Sequence, residues 1–119
     1  MTMLSKDQIL SATDAKIEKL EVPEWGGHVF IRTMSGAERD DFESETYIMK
    51  GKNVEVNRHN MRARLLVRAL CDDSGKAIFT LKDVEALGRK SAKALDRCFS
   101  VAQRINGLGA EDVEELTKN

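Results

Sequence analysis

With 119 residues, 33% charged and 41% hydrophobic side chains and a formal net charge of -1, the chain has the composition of a single soluble globular domain. A chain of this length buries roughly two-thirds of its unfolded surface, so it needs no metal or disulfide staple, and its near-neutral charge demands no polyelectrolyte partner. Aromatic residues are only 5%, so the core must be built from Leu, Val, Ile, Met and Ala, which suits helices better than a sandwich.

The N-terminus meets charge at Lys6 and Asp7 without a continuous apolar run, so neither a secretory leader nor a membrane span is expected. Ser5 and Gln8 have capping-box spacing and predict a helix from about Ser5 to Ala12. From about 17 to 33 the apolar residues alternate. Leu20 and Val22, then Val29 and Ile31, give a hairpin with one apolar face, while Pro23 ends its first strand and Gly26-Gly27 allow the positive φ of a tight turn. Trp25, the only tryptophan, is either a hairpin-core residue or an exposed anchor for a partner.

Ser35 and Glu38 repeat the capping box and open a helix expected over about 35–50. On it Phe42, Thr46 and Met49 share a face, while Tyr47 and Ile48 point away and need another surface. Gly51-Lys52-Asn53 breaks this helix, and Asn57 is placed to cap the next, expected over about 58–71. Asp72 to Lys76 reads as a turn, and Ala77-Ile78-Phe79 as a strand or an extended connector. Thr80 with Asp83 starts a short helix over about 81–88, and Ser91 precedes the longest periodic stretch, about 92–106. There Leu95, Cys98, Phe99, Ala102 and Ile105 lie together, opposite Lys93, Asp96, Arg97, Ser100 and Arg104. Gly107 is a natural helix stop, and 110–119 is an acidic segment expected to add a last helical turn or two. The fold expected from these signals is mainly α: one compact helical domain over residues 1–119 with one small β-hairpin near the N-terminus.

Catalytic and ligand-binding motifs are not found. Gly75-Lys76 is followed by Ala77 rather than Ser or Thr, and Gly107-Leu108-Gly109 lacks the third glycine and follows a helix. His28 and His59 stand alone, and Cys71 and Cys98 lack metal-ligand spacing and suit a reduced compartment. The serines sit at helix starts, and the carboxylates of 38–45 and 111–115 read as solvated faces. No enzyme, cofactor or metal is therefore expected. One charge pattern stands out: Arg58, Arg62, Arg64 and Arg68 fall on one broad side of their helix with Met61 and Leu65, opposite Ala63, Leu66, Val67 and Leu70. Such a face is a solvated one, a nucleic-acid surface, or a protein interface.

Five segments, taken in order, carry a family resemblance: Val22-Pro23-Glu24-Trp25-Gly26-Gly27, Arg32-Thr33-Met34-Ser35-Gly36-Ala37-Glu38-Arg39-Asp40, Arg62-Ala63-Arg64-Leu65-Leu66, Asp83-Val84-Glu85-Ala86-Leu87-Gly88 and Ala102-Gln103-Arg104-Ile105-Asn106-Gly107-Leu108. With them the chain resembles the tail assembly chaperones of long, non-contractile-tailed phages and prophages of the lambdoid type. The resemblance implies a mostly helical, self-associating, non-enzymatic factor of the host cytoplasm, absent from the mature virion. It implies binding of the tape measure protein, kept soluble while the tail tube assembles. The family often makes a second, longer product by ribosomal frameshifting. This chain resembles the shorter product, so the tail tube protein is expected to bind only through the longer form. No nucleic acid, membrane or cofactor is implied. The candidate partner or self-association surface is Trp25, Tyr47, Ile48, Met61 and Leu65. The competing expectation is a small nucleic-acid-binding regulator that uses the Arg58 to Arg68 helix face.

Overall fold

The computed structural model describes residues 1–108. The acidic segment expected at 110–119 lies outside the described residues. Helix α1 (Lys6–Ser11) opens on the expected capping box, with the Gln8 N–H donating to Ser5 Oγ and the Ser5 N–H donating to Gln8 Oε1 at 2.9 Å. It buries none of its residues.

Strands β1 (Ile17–Val22) and β2 (Gly27–Arg32) form the expected antiparallel hairpin, in register from Ile17 opposite Arg32 to Val22 opposite Gly27. A 3-10 turn, Pro23–Trp25, connects them. Only Gly26 takes positive φ, 71°; Gly27 is already a strand residue. Val22 and Ile31 are fully buried and Leu20 and Val29 pack beside them, so the alternation reads out as one inward face.

Helix α2 (Gly36–Thr46) starts on the Ser35–Glu38 capping box, but it ends four residues before the position expected from sequence. Tyr47–Lys50 is strand β3, which turns at Gly51 (φ 64°) and pairs with strand β4 (Asn53–Val56), Tyr47 opposite Val56 and Met49 opposite Val54. The apolar positions at 47, 49, 54 and 56 alternate around that glycine, so the period-2 pattern prevails over the helical one. Met49 therefore leaves the Phe42 and Thr46 face and is exposed.

The helix expected at 58–71 is shorter at both ends. Helix α3 spans Met61–Ala69, and Leu70–Cys71 is a short strand, β5, that pairs with β2 through Phe30 opposite Cys71 and Ile31 opposite Leu70. Asn57 does not cap it. Its N–H donates to the Thr46 carbonyl at 2.6 Å and its side-chain amide to the Glu45 carbonyl, closing the base of the β3–β4 hairpin. Asn60, in the left-handed region at φ 50°, stands at the N-cap without a side-chain cap bond.

After the turn at Asp72–Lys76, Ala77 makes a single bridge to Cys71. A 3-10 turn (Leu81–Asp83) with the Thr80–Asp83 capping box leads into helix α4 (Val84–Gly88). Helix α5 (Ala92–Ile105) is capped by Ser91 and stopped at Gly107 (φ 68°), where the Leu108 N–H donates to the Gln103 carbonyl and the Gly107 N–H to that of Arg104, a Schellman closure.

The mainly α expectation with one hairpin is thus overturned. Among the described residues helix accounts for 47% and strand for 21%, in two antiparallel sheets, one ordered β1-β2-β5 and the other the β3–β4 pair, which makes the fold mixed α and β. Helix α3 runs through the middle, its residues from Ala63 on being buried, and packs against α5, α4 and α2. The inner face of β1–β2 closes against α5. Asn106 ties three elements together: its Oδ1 accepts the Met34 N–H at 2.7 Å, its Nδ2 donates to the Ala102 carbonyl, and its own carbonyl accepts Arg39 Nη1.

Candidate functional site

Hairpin β3–β4 is amphipathic. Tyr47, Met49, Val54 and Val56 project from one face of the pair, and Ile48, Lys50, Asn53 and Glu55 from the other. None of the four apolar residues belongs to the core cluster or to the partly buried side chains packed on it. Met49 is 65% and Ile48 39% exposed, whereas Tyr47 is half-buried. The hairpin is an apolar surface outside the core.

What fixes it is the helix expected to carry a solvated arginine face. Arg64 and Arg68 are buried, at 8% and 5% exposure, and only Arg58 and Arg62 face solvent, Arg62 being paired with Asp96. The Arg64 guanidinium donates to Thr46 Oγ1 and to the Asn57 carbonyl, each at 2.7 Å, and to the His59 carbonyl at 3.0 Å. Arg68 donates to Glu45 Oε2 at 2.8 Å and to the Arg64 carbonyl, and both guanidiniums stand about 6 Å from the Phe42 ring centre. Two buried cations thus share one carboxylate. Burial pulls the Arg64 pKa down, with the Arg68 charge adding to it and the Glu45 charge opposing. The cluster is an internal clamp on the hairpin base, and the surface proposed for nucleic acid loses half its arginines.

Concave places lie elsewhere. Glu24, Trp25, Phe79, Ala86, Leu87 and Lys90 line a cleft of about 570 Å³ between the first hairpin's turn and α4. Trp25 is half-buried there, packing on the core and walling the cleft. Arg97 reaches over from α5 and holds Glu24 through two bonds of 3.1 and 2.9 Å, which lowers the Glu24 pKa. Met61 is half-buried and lines a smaller cavity of about 310 Å³ with Arg58, Arg62, Asp96, Phe99, Ser100 and Gln103. Leu65 is 0% exposed, a core residue that presents nothing to a partner in this structure. Trp25, Met61 and the pair Tyr47 and Ile48 therefore fall on three separate features. Sequence reasoning missed Met49, Val54 and Val56, whose alternation across Gly51 was the available signal.

Residues 5–119 match the family described as phage tail assembly chaperone. The chain belongs to that family. Among solved structures it is similar to the bacteriophage HK97 tail assembly chaperone, at 20% identity and a TM-score of 0.59, over 82% of this chain and 89% of that one. At that identity the likeness concerns the fold. No curated protein matches.

As a tail assembly chaperone, the chain works with protein partners of tail assembly. Among the described residues, no group of three or more His, Cys, Asp or Glu is placed to hold a metal ion, and no helix is long and apolar enough to cross a membrane. Cys71 and Cys98 are free and buried, and burial pushes the Cys98 thiol up to about 11, which keeps it protonated near neutrality.

Proposed function

We propose that this chaperone binds the tape measure protein and keeps it soluble while the tail tube assembles around it. It acts as a homo-oligomer in the host-cell cytoplasm and without catalysis, and it is left out of the finished virion. The tail tube protein is engaged through a longer, frameshifted form. The observation that supports the reading is the apolar face of β3–β4, which lies outside the core, exposes Met49 and is bonded at its base to Arg64. A tape measure not yet enclosed presents apolar helical stretches, and a preset apolar face can cover them at little ordering cost. Tyr47 and Met49 are the proposed contacts on that face, with Ile48 on the hairpin's other face and Met61 in the cavity beside α5.

The test is co-expression with the tape measure protein encoded nearby, followed by its solubility and co-purification. Binding that persists from low to high salt is the expected result. A tape measure that stays insoluble, or that fails to co-purify, overturns the reading. Steep loss with salt together with retention of DNA or RNA would instead favour the regulator.

A further inference from the structure

Strand β1 stands at the end of its sheet, with β2 on one side and, among the described residues, no strand on the other. The Thr33 N–H donates to the Lys16 carbonyl at 2.9 Å, so in this register Lys16, Glu18, Leu20 and Val22 turn their peptide groups toward β2. Ile17, Lys19 and Glu21 turn theirs outward, a row of donors and acceptors that can pair with another strand. Charged side chains commonly guard such an edge. This one carries one charge of each sign, Lys19 and Glu21, both exposed and 3.9 Å apart. It therefore matches an edge of its own kind instead of repelling it.

A second copy supplies that edge. When two β1 strands pair antiparallel, outward peptide groups must meet outward groups, and the registers with useful overlap centre on Glu18, Lys19, Leu20 or Glu21. Three of the four set a charge directly against its own counterpart, which is destabilising. The register on Leu20 sets leucine against leucine, and by symmetry it sets Lys19 of each copy against Glu21 of the other.

Helix α1 gains a neighbour in the same register. It has six residues, short for a helix with nothing to pack on, and it buries none of them. Leu4, Ile9 and Leu10 are all more than half exposed. With Leu20 on the axis, Ile17 of one copy comes opposite Pro23 of the other, so the N-terminal arm leaves its strand beside the other copy's turn. The cleft walled by Trp25, Phe79 and Leu87 opens at that turn.

We propose that the chain dimerises through its β1 edges, two-fold about Leu20, with the arm of each copy laid against the Trp25 cleft of the other. This deepens the self-association part of the function proposed above and rests on it. The contact is isologous and closes at the dimer.

The test is made on the full chain over a range of concentrations. Sedimentation should show the dimer forming, and exchange of the outward Lys19 and Glu21 amides should slow at least about tenfold as it does. Trp25, the only tryptophan, should shift its emission to the blue over the same range. Lys19→Glu and Glu21→Lys should each weaken the dimer about tenfold, because two attractive cross-strand pairs become repulsive. Both substitutions in one chain restore opposite charges and should recover it. Wild-type chain that is monomeric at every concentration overturns self-association itself and leaves tape-measure binding to its own test. Oligomers whose Lys19 and Glu21 amides exchange at the monomer rate overturn only the β1 edge. A doubly substituted chain as weak as the single variants overturns the register on Leu20. Unchanged Trp25 emission in a dimer with slowed amides overturns the place given to the arm.

Discussion

The two hairpins follow the same alternation and differ in what lies against them. Hairpin β1–β2 gains a third strand, β5, and lays Val22 and Ile31 into the core. Hairpin β3–β4 has no third strand among the described residues, and its apolar face has no core beneath it. A lone two-stranded sheet is marginally stable in water, so the second hairpin relies on a different device. Its base is bonded to a buried guanidinium through Thr46, Asn57 and His59. One hairpin is held by apolar burial and the other by buried polar contacts at one end, which leaves the latter's apolar face available.

The largest expected effect falls on the first hairpin. Ile31→Ala should cost about 2–5 kcal/mol, read from the urea midpoint, because it empties a fully buried position. A loss below about 1 kcal/mol would break the distinction between the two hairpins. Next, Arg64→Met should cost about 2–3 kcal/mol, since it removes the donor to Thr46 Oγ1 and leaves the Asn57 and His59 carbonyls without their guanidinium, while Glu45 keeps Arg68. Amide exchange should then quicken in β3–β4 before β1–β2; equal quickening in both would refute the clamp. Met49→Lys should leave stability within about 0.5 kcal/mol while lowering the yield of soluble tape measure on co-expression. Full retention of that yield would remove Met49 from the binding face.

The smallest effect concerns the first hairpin's turn. Arg97 lowers the Glu24 pKa from 4.5 by hydrogen bonding, so this pair's contribution is present above that value and fades as pH falls through the depressed one. In Arg97→Ala, Glu24 should titrate in the ordinary carboxylate range by NMR. An unchanged titration would show that Arg97 is not what holds it.

Local signals carried the parts of the fold that rest on local chemistry. The Ser5, Ser35 and Thr80 capping boxes, the Gly107 stop and the first hairpin are read from adjacent residues and occur as expected. The sequence reading failed where a decision depended on distant packing. Tyr47-Ile48-Met49 extends a helical pattern as plausibly as it begins a strand, and only pairing with 53–56 decides between them. Arg64 and Arg68 look solvated on a helical wheel because nothing local shows that Glu45, Thr46 and Phe42 will enclose them. Leu65, on the same helix, is likewise buried in the core. Of the candidate site, the sequence marks Tyr47 and Ile48 as needing a second surface but does not show the hairpin that carries them.

Asn106 also sets a schedule. Its amide is the acceptor for Met34 and one of its donors points to Arg32, residues made more than seventy positions earlier. On the ribosome, β1, β2 and α2 can form their local bonds early, yet the junction between β2 and α2 stays open until residue 106 has cleared the exit tunnel. The final closure of the domain therefore waits on Asn106, and the seam stays unfastened while the hairpin and the helix on either side of it have already formed.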